Sequence, residues 1–313
     1  MHQLGFKVKK YFYFMKKIVV IGGGTGSFTI LSGLKKYPVE LTSIVSMMDS
    51  GGSTGILRDE FGVLPPGDVR RCLVALSDST IMRELFEYRF KKGKALNGHT
   101  IGNLLLTALN EITGSDEEAI LKASDILRIK GKVLPVTLDN CHLGAEFANG
   151  KKIIGEAKIG KQKVKHIFLT KKAKIFSEAK KAILEADLII LGPGDFYTSI
   201  LPNLLVTGVT QAINKSKAKT VFVCNIMTKG ETKGFKAKDF VEELSKYLQS
   251  IPDFVLMNNK KPSLRVIKRY KKEGSEFVEP NYFGIKRDLL RRTDYARHEP
   301  QKLAKEIIKL SKN

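Results

Sequence analysis

The stretch KKIVVIGGGTGSFTIL, residues 16 to 31, constrains the chain most. Four glycines fill positions 22, 23, 24 and 26, directly after the apolar run Ile18–Ile21. A bare backbone there lets a strand turn sharply into a helix. It also leaves main-chain N–H groups at the positive end of that helix, which is a ready anion site. A tight turn alone needs fewer glycines. The run therefore predicts phosphate or pyrophosphate contact at Gly23, Gly24, Thr25 and Gly26.

Three known devices share this look, and each makes a spacing demand. A dinucleotide fingerprint needs G-x-G-x-x-G, but counting from Gly22 the third glycine falls on Ser27, and from Gly24 it falls on Thr29. Asp49 does follow the second predicted strand, where a ribose-binding acid would sit. A nucleotide ligand thus fits better than an ordinary NAD enzyme. A Walker loop is approached only by GEAKIGKQ at 155–162, where Gln162 cannot replace the magnesium-ligating hydroxyl. The tubulin-type loop has glycine where this chain has Phe28.

Apolar runs such as IVVI, LIIL and VFVC carry no polar alternation, the pattern of parallel strands buried on both faces. They alternate with helical patterns, so the chain reads as a three-layer α/β/α, Rossmann-like, mostly parallel sheet. Between about 131 and 170 the pattern shortens to strands, with Asn149-Gly150 as a hairpin turn, which predicts a small β-rich insertion. A final helix is expected to start at Pro300. No linker divides residues 15–313, which read as one domain. Residues 1–14 read as a loose, dispensable tail, with Met15 a natural start.

Composition excludes several classes. No apolar run approaches the roughly 18–20 residues that span a membrane. Cys72, Cys141 and Cys224 are odd in number and form no CxxC pair, which argues against a disulfide framework or zinc site and fits a reducing cytoplasm. The net charge of +22 comes from lysines scattered along the whole chain, without stacking aromatics interleaved. Nucleic acid is therefore not the expected partner.

Ligands collect beyond the carboxyl ends of parallel strands. The loops there are long and rich in glycine and hydroxyls. MDSGGSTGILRDEFGVLPPGDVRRCLVAL offers Asp49, Gly51, Gly52, Thr54, Asp68 and Arg71. Asp68 is also suited to capping a helix from Val69, and one of Arg70 and Arg71 is expected to be merely solvated. NGHTIGNLLL sets His99 and Asn103 one turn apart at a helix start. GPGDFYTSILPN offers Gly192, Pro193, Gly194, Tyr197, Thr198 and Ser199, and NIMTKGETKGF offers Asn225.

Taken together, VVIGGGTG, DSGGSTGILRDEFGVLPPGDVRRCLVAL, GHTIGNLLLTALNEITG, LGPGDFYTSILPNLLV and CNIMTKGETKGF resemble the YvcK family of bacterial proteins, related to the CofD transferases. The resemblance runs from about Lys16 to Leu310. It implies a CofD-like α/β/α sheet and a cytoplasmic protein that binds a UDP-sugar, notably UDP-N-acetylglucosamine. It also implies a link to cell shape, peptidoglycan supply and gluconeogenic growth. The RHEP stretch is similar to an RHD stretch in YvcK proteins whose arginine is tied to UDP-sugar binding, which points to Arg297. CofD itself transfers a phospholactyl group to a deazaflavin with magnesium. Family members usually carry paired aspartates before the double glycine, whereas this chain has Asp49-Ser50. One carboxylate holds magnesium less well than two.

Two functions follow. The favoured one is a non-enzymatic regulator that binds a UDP-sugar, with no catalytic residue and no resident metal. The alternative is a CofD-like magnesium-dependent transferase, for which His99 and Asp68 are the only clear base candidates. A protein partner is expected without being named, and a homodimer is compatible with either reading.

Overall fold

The computed structural model describes residues 15–159 and 163–312. The expected tail at 1–14 and the end of the near-Walker match lie outside these residues. The first half runs β1 (Lys16–Gly22), α1 (Gly24–Leu34), β2 (Val39–Val45), α2 (Gly52–Phe61), α3 (Pro66–Leu76), α4 (Thr80–Glu87), α5 (Ile101–Thr113), α6 (Asp116–Leu127) and β3 (Lys132–Pro135). Then come β4 (Leu143–Phe147), β5 (Lys152–Ile154), α7 (Glu156–Ile159), β6 (Val164–Leu169), α8 (Ser177–Leu184) and β7 (Leu188–Leu191). The last part holds α9 (Leu201–Leu204), α10 (Val209–Lys215), β8 (Lys219–Val223), α11 (Ala237–Leu248), β9 (Phe254–Asn258), α12 (Leu264–Lys272), β10 (Ile285–Arg287) and α13 (Pro300–Leu310).

Seven strands form one parallel sheet in the order β10-β9-β8-β7-β1-β2-β3. Ile18, Val20 and Ile21 in β1 and Ile189–Leu191 in β7 are wholly buried, as two-sided cover by helices demands. Helices α1, α3, α5, α6 and α13 pack with one another, and α8–α11 form a second group. The chain leaves β1 through α1 toward β2, and leaves β7 toward β8 on the other side. Their loops diverge, which opens a crevice at the carboxyl ends of the two strands.

The β-rich insertion is an antiparallel sheet in the order β5-β4-β6. Residues Lys132–Pro135, expected inside it, belong instead to the edge of the main sheet and pair with β2. Four residues with one polar end carry no mark that separates an edge strand from the hairpins beyond. Gly150 adopts φ +79°, the left-handed geometry that the Asn149-Gly150 turn requires. Tyr247 of α11 accepts the Ile167 N–H through its hydroxyl at 3.2 Å, tying the insertion to the second helix layer.

Several elements escape the sequence reading: α2, α7, α8, α12, which buries only Val266, and β10, which is three residues long. α4 ends at Glu87, and Arg89 then bridges to Thr100. All three cysteines are buried and unpaired. α13 begins at Pro300, as expected, and crosses α1 so closely that a Cβ on Gly33 would strike the Pro300 carbonyl and lie 2.9 Å from the Ala304 Cβ. Gly33→Val should therefore lower stability by about 1–3 kcal/mol through overpacking. A shift in the urea midpoint reads this out, and an unchanged midpoint would show that α13 does not rest on α1.

Candidate functional site

A cavity of about 590 Å³ lies at the crevice between β1 and β7. Its lining includes Gly24, Thr25, Gly26, Asp49, Asp68, Arg71, Pro193, Gly194, Thr198, Ser199, Asn225 and Arg297. The volume falls in the range of pockets that hold small ligands.

The glycine run shapes this floor by packing. α1 begins inside the run, at Gly24, with Gly23 as its N-cap. A Cβ on Gly23 would come within 2.8 Å of Asp68 Oδ2 and Ser199 Oγ, and one on Gly24 within 2.5 Å of Asp68 Oδ1 and 2.8 Å of Arg71 Cδ. A Cβ on Gly26 would land on the Pro193 carbonyl. A Gly24→Val side chain would therefore displace Asp68 and Arg71 before it could block a phosphate.

Asp68 lies in the first turn of α3, which starts at Pro66 with Pro65 as N-cap. It caps no helix from Val69, contrary to expectation. Its carboxyl accepts the Gly24 N–H instead. Burial first, then Asp49, raises its pKa to about 7, against the lowering pull of Gly24 and Arg71. Glu156, at the start of α7, also lines the cavity, and burial with Asp49 raises it to about 7. The Ala157 N–H donates to Ser50 Oγ at 3.2 Å, so the insertion is fastened to the Asp49 loop beside Glu156.

The Asp49 loop is braced from within. Asp49 Oδ1 accepts the Gly51 N–H at 2.9 Å. Behind it, Ser53 Oγ lies 3.0 Å from His99 Nδ1 and accepts from Asn103 Nδ2 at 3.1 Å. Arg70 Nε donates to Asn103 Oδ1 at 2.9 Å. Arg70 is buried, and burial and Arg71 pull its pKa down to about 10. Arg70 is thus structural, and Arg71, half-buried, faces the cavity.

Eight expected residues stand outside the cavity lining. His99 and Asn103 belong to the buried network just described. Gly51 and Gly52 open α2, and Thr54 is buried with its hydroxyl against Gly67. Gly23 caps α1 beneath Asp68, and Gly192 ends β7 with φ +76°. Tyr197 is buried and donates to Glu243 Oε1 at 3.1 Å on α11, away from the cleft. Residues 196–200 turn with π-helical spacing, which rotates Phe196 and Tyr197 inward and leaves Thr198 and Ser199 to the cavity.

Sequence reasoning missed Glu156, Asp195, Lys229, Tyr270, Glu273, Tyr295 and His298 in the lining. Lys229 and Asp195 form an ion pair of 2.5 Å joining the loops after β8 and β7, and Asn225 Nδ2 donates to the Gly194 carbonyl at 2.7 Å. Glu156 carries no local signal, because the insertion delivers it from a hundred residues downstream of Asp49. Among the described residues no group of three or more His, Cys, Asp or Glu side chains converges to hold a metal ion.

A family model described as 2-phospho-L-lactate transferase CofD matches residues 18–295. The chain belongs to the CofD family, in its YvcK group of gluconeogenesis factors. A Thermotoga maritima protein, which carries that name provisionally, is 48% identical over 88% of each chain. The gluconeogenesis factor of Bacillus subtilis is 39% identical, over 95% of this chain and 98% of the relative. The crystal structure of protein BH3568 from Bacillus halodurans superposes with a TM-score of 0.90 at 40% identity, covering 94% of this chain and 99% of that one. Among the described residues no helix is long and apolar enough to cross a membrane.

The raised carboxyls make stability depend on pH. Asp68 and Glu156 titrate near 7 in the fold, above their ordinary values of 3.8 and 4.5. Below about 4, folded and unfolded chains are both protonated and nothing is lost. As pH rises toward 7 the unfolded chain sheds these protons first, so stability falls across that window and levels off above it. The melting temperature should rise on acidification from pH 8 to pH 6. Asp68→Asn should raise stability at pH 8 and flatten that rise, and an unchanged slope would show that Asp68 holds no proton.

Proposed function

We propose that the cleft binds a nucleotide sugar, UDP-N-acetylglucosamine, and that the protein works through this binding rather than through turnover. It serves as a cytoplasmic regulator of peptidoglycan supply and cell shape during growth on gluconeogenic carbon. The relatives' name, gluconeogenesis factor, supports the metabolic setting. The observation that carries the reading is the convergence of the α1 N-terminus, Arg71 and Arg297 on one cavity at the strand switch point.

In this reading the N–H groups of Thr25 and Gly26 and the 193–199 turn cradle the diphosphate. Arg71 and Arg297 neutralise it, Arg297 with a planar fork that suits paired phosphate oxygens. Asp49 and Glu156 accept hydroxyls of ribose or sugar. A second reading, a CofD-like transferase, draws on one observation. Asp68, with a pKa near 7 at the cavity floor, is tuned as a general base requires.

Calorimetric titration with UDP-N-acetylglucosamine, followed by a product assay with added magnesium, separates the two. Binding without turnover supports the regulator, and turnover supports the transferase. Arg297→Ala should weaken binding roughly tenfold to a hundredfold, as loss of a charged hydrogen bond does, with the fold intact. An unchanged dissociation constant in a folded Arg297→Ala protein would remove Arg297 from the ligand.

A further inference from the structure

The cavity has a rim unlike its floor. α12 and the segment 290–298 supply Tyr270, Glu273, Tyr295 and Arg297 there. Tyr270 and Tyr295 are the only aromatic rings in the lining apart from the His298 imidazole. Tyr295 is 43% exposed at this rim.

Tyr295 is nevertheless held in place. Arg269 of α12 sets its guanidinium carbon 4.2 Å from the ring centroid. Arg269 does not line the cavity, so it braces the ring from outside. Arg297 does line the cavity, and its guanidinium carbon lies farther off, at 5.3 Å. The segment itself is compact. Leu290 and His298 bridge, the Arg291 N–H donates to the Arg297 carbonyl at 2.8 Å, and Thr293 Oγ1 donates to the Tyr295 carbonyl at 3.0 Å. A planar side chain fixed by a short loop and a cation, with exposed ring surface at a cavity, has the form of a stacking platform. Such platforms accept the π-face of a base without reading its edge.

The floor and the rim make different offers. The floor has N–H groups and cations for phosphate, and carboxyls for hydroxyls. Only the rim offers a π-surface. Resting on the nucleotide-sugar reading above, we propose that Tyr295 is the platform on which the nucleobase of the ligand stacks. The base takes the ring surface that Arg297 now covers. Arg297 then leaves the ring and turns its donors to the diphosphate, so one binding event fills both subsites. Arg269 stays behind Tyr295 and keeps the ring from following.

The chain contains no tryptophan, so Tyr295→Trp places a single indole at the platform. Its fluorescence should be quenched by UDP and by UDP-N-acetylglucosamine, and left unchanged by inorganic pyrophosphate. In parallel, Tyr295→Leu, checked for an unaltered melting transition, should weaken UDP-N-acetylglucosamine by roughly tenfold or more while leaving pyrophosphate affinity unchanged. Tyr295→Phe should retain most of the affinity. If the wild-type chain binds UDP-N-acetylglucosamine and Tyr295→Leu binds it equally well, the platform is overturned while the nucleotide-sugar reading stands. Equal weakening toward pyrophosphate would also overturn it, since that shows a disturbed loop rather than a lost stack. If the wild-type chain binds no nucleotide sugar, that reading fails and the platform falls with it.

Discussion

The close approach of residues 22–26 to two neighbouring segments is the contact on which the rest of the structure depends. On one side lies Asp68 of α3, and on the other the turn at Pro193–Gly194 and Ser199. At Gly23, Gly24 and Gly26 the approach is closer than any Cβ permits. The glycines therefore do more than release the backbone. They let the start of α1 sit against the ends of the β1, β2 and β7 connections at once, and the cavity is the seam left between them. A side chain at Gly24 or Gly26 would push these connections apart and alter the floor with no ligand present.

The charge of the cleft is mixed, and this is its second constraint. One helix-start donor, the Gly24 N–H, is already satisfied by Asp68. The proposed diphosphate would thus meet the next N–H groups along α1, with Arg71 beside them. Carboxyls so close to an anion site would repel it if fully ionised. Burial and mutual repulsion hold Asp68 and Glu156 near 7, so each carries a proton for part of the time at neutral pH. A protonated carboxyl donates a hydrogen bond where a carboxylate would repel. This is the charge balance that the proposed ligand, with a diphosphate at one end and hydroxyls at the other, would need.

The sheet was legible because its central strands are apolar on both faces, and Ile18–Ile21 and Leu188–Leu191 admit no other reading. The glycine run was legible for the same local reason. Tyr197 was misplaced because π-helical spacing, which leaves no mark in composition, turns it toward Glu243. His99 and Asn103 were read as ligand groups because a polar pair at a helix start looks alike whether it faces a cavity or Ser53. Glu156 and Tyr295 were missed for a tertiary reason. The insertion brings one to the Asp49 loop, and Arg269 braces the other at the rim. α12 was missed although its apolar residues recur at helical spacing, and β10 is too short, at three residues, to show a pattern.

Hydrogen–deuterium exchange of the full chain, with and without UDP-N-acetylglucosamine, tests the central claim most directly. Ligand at the strand switch point should slow exchange at the amides of residues 24–29 and 193–199, which bound the floor, and at 291–298 on the rim. Exchange in β4 and β6, at 143–147 and 164–169, should stay the same. Saturating ligand that leaves 24–29 and 193–199 unprotected, or that protects some other surface, would contradict the account.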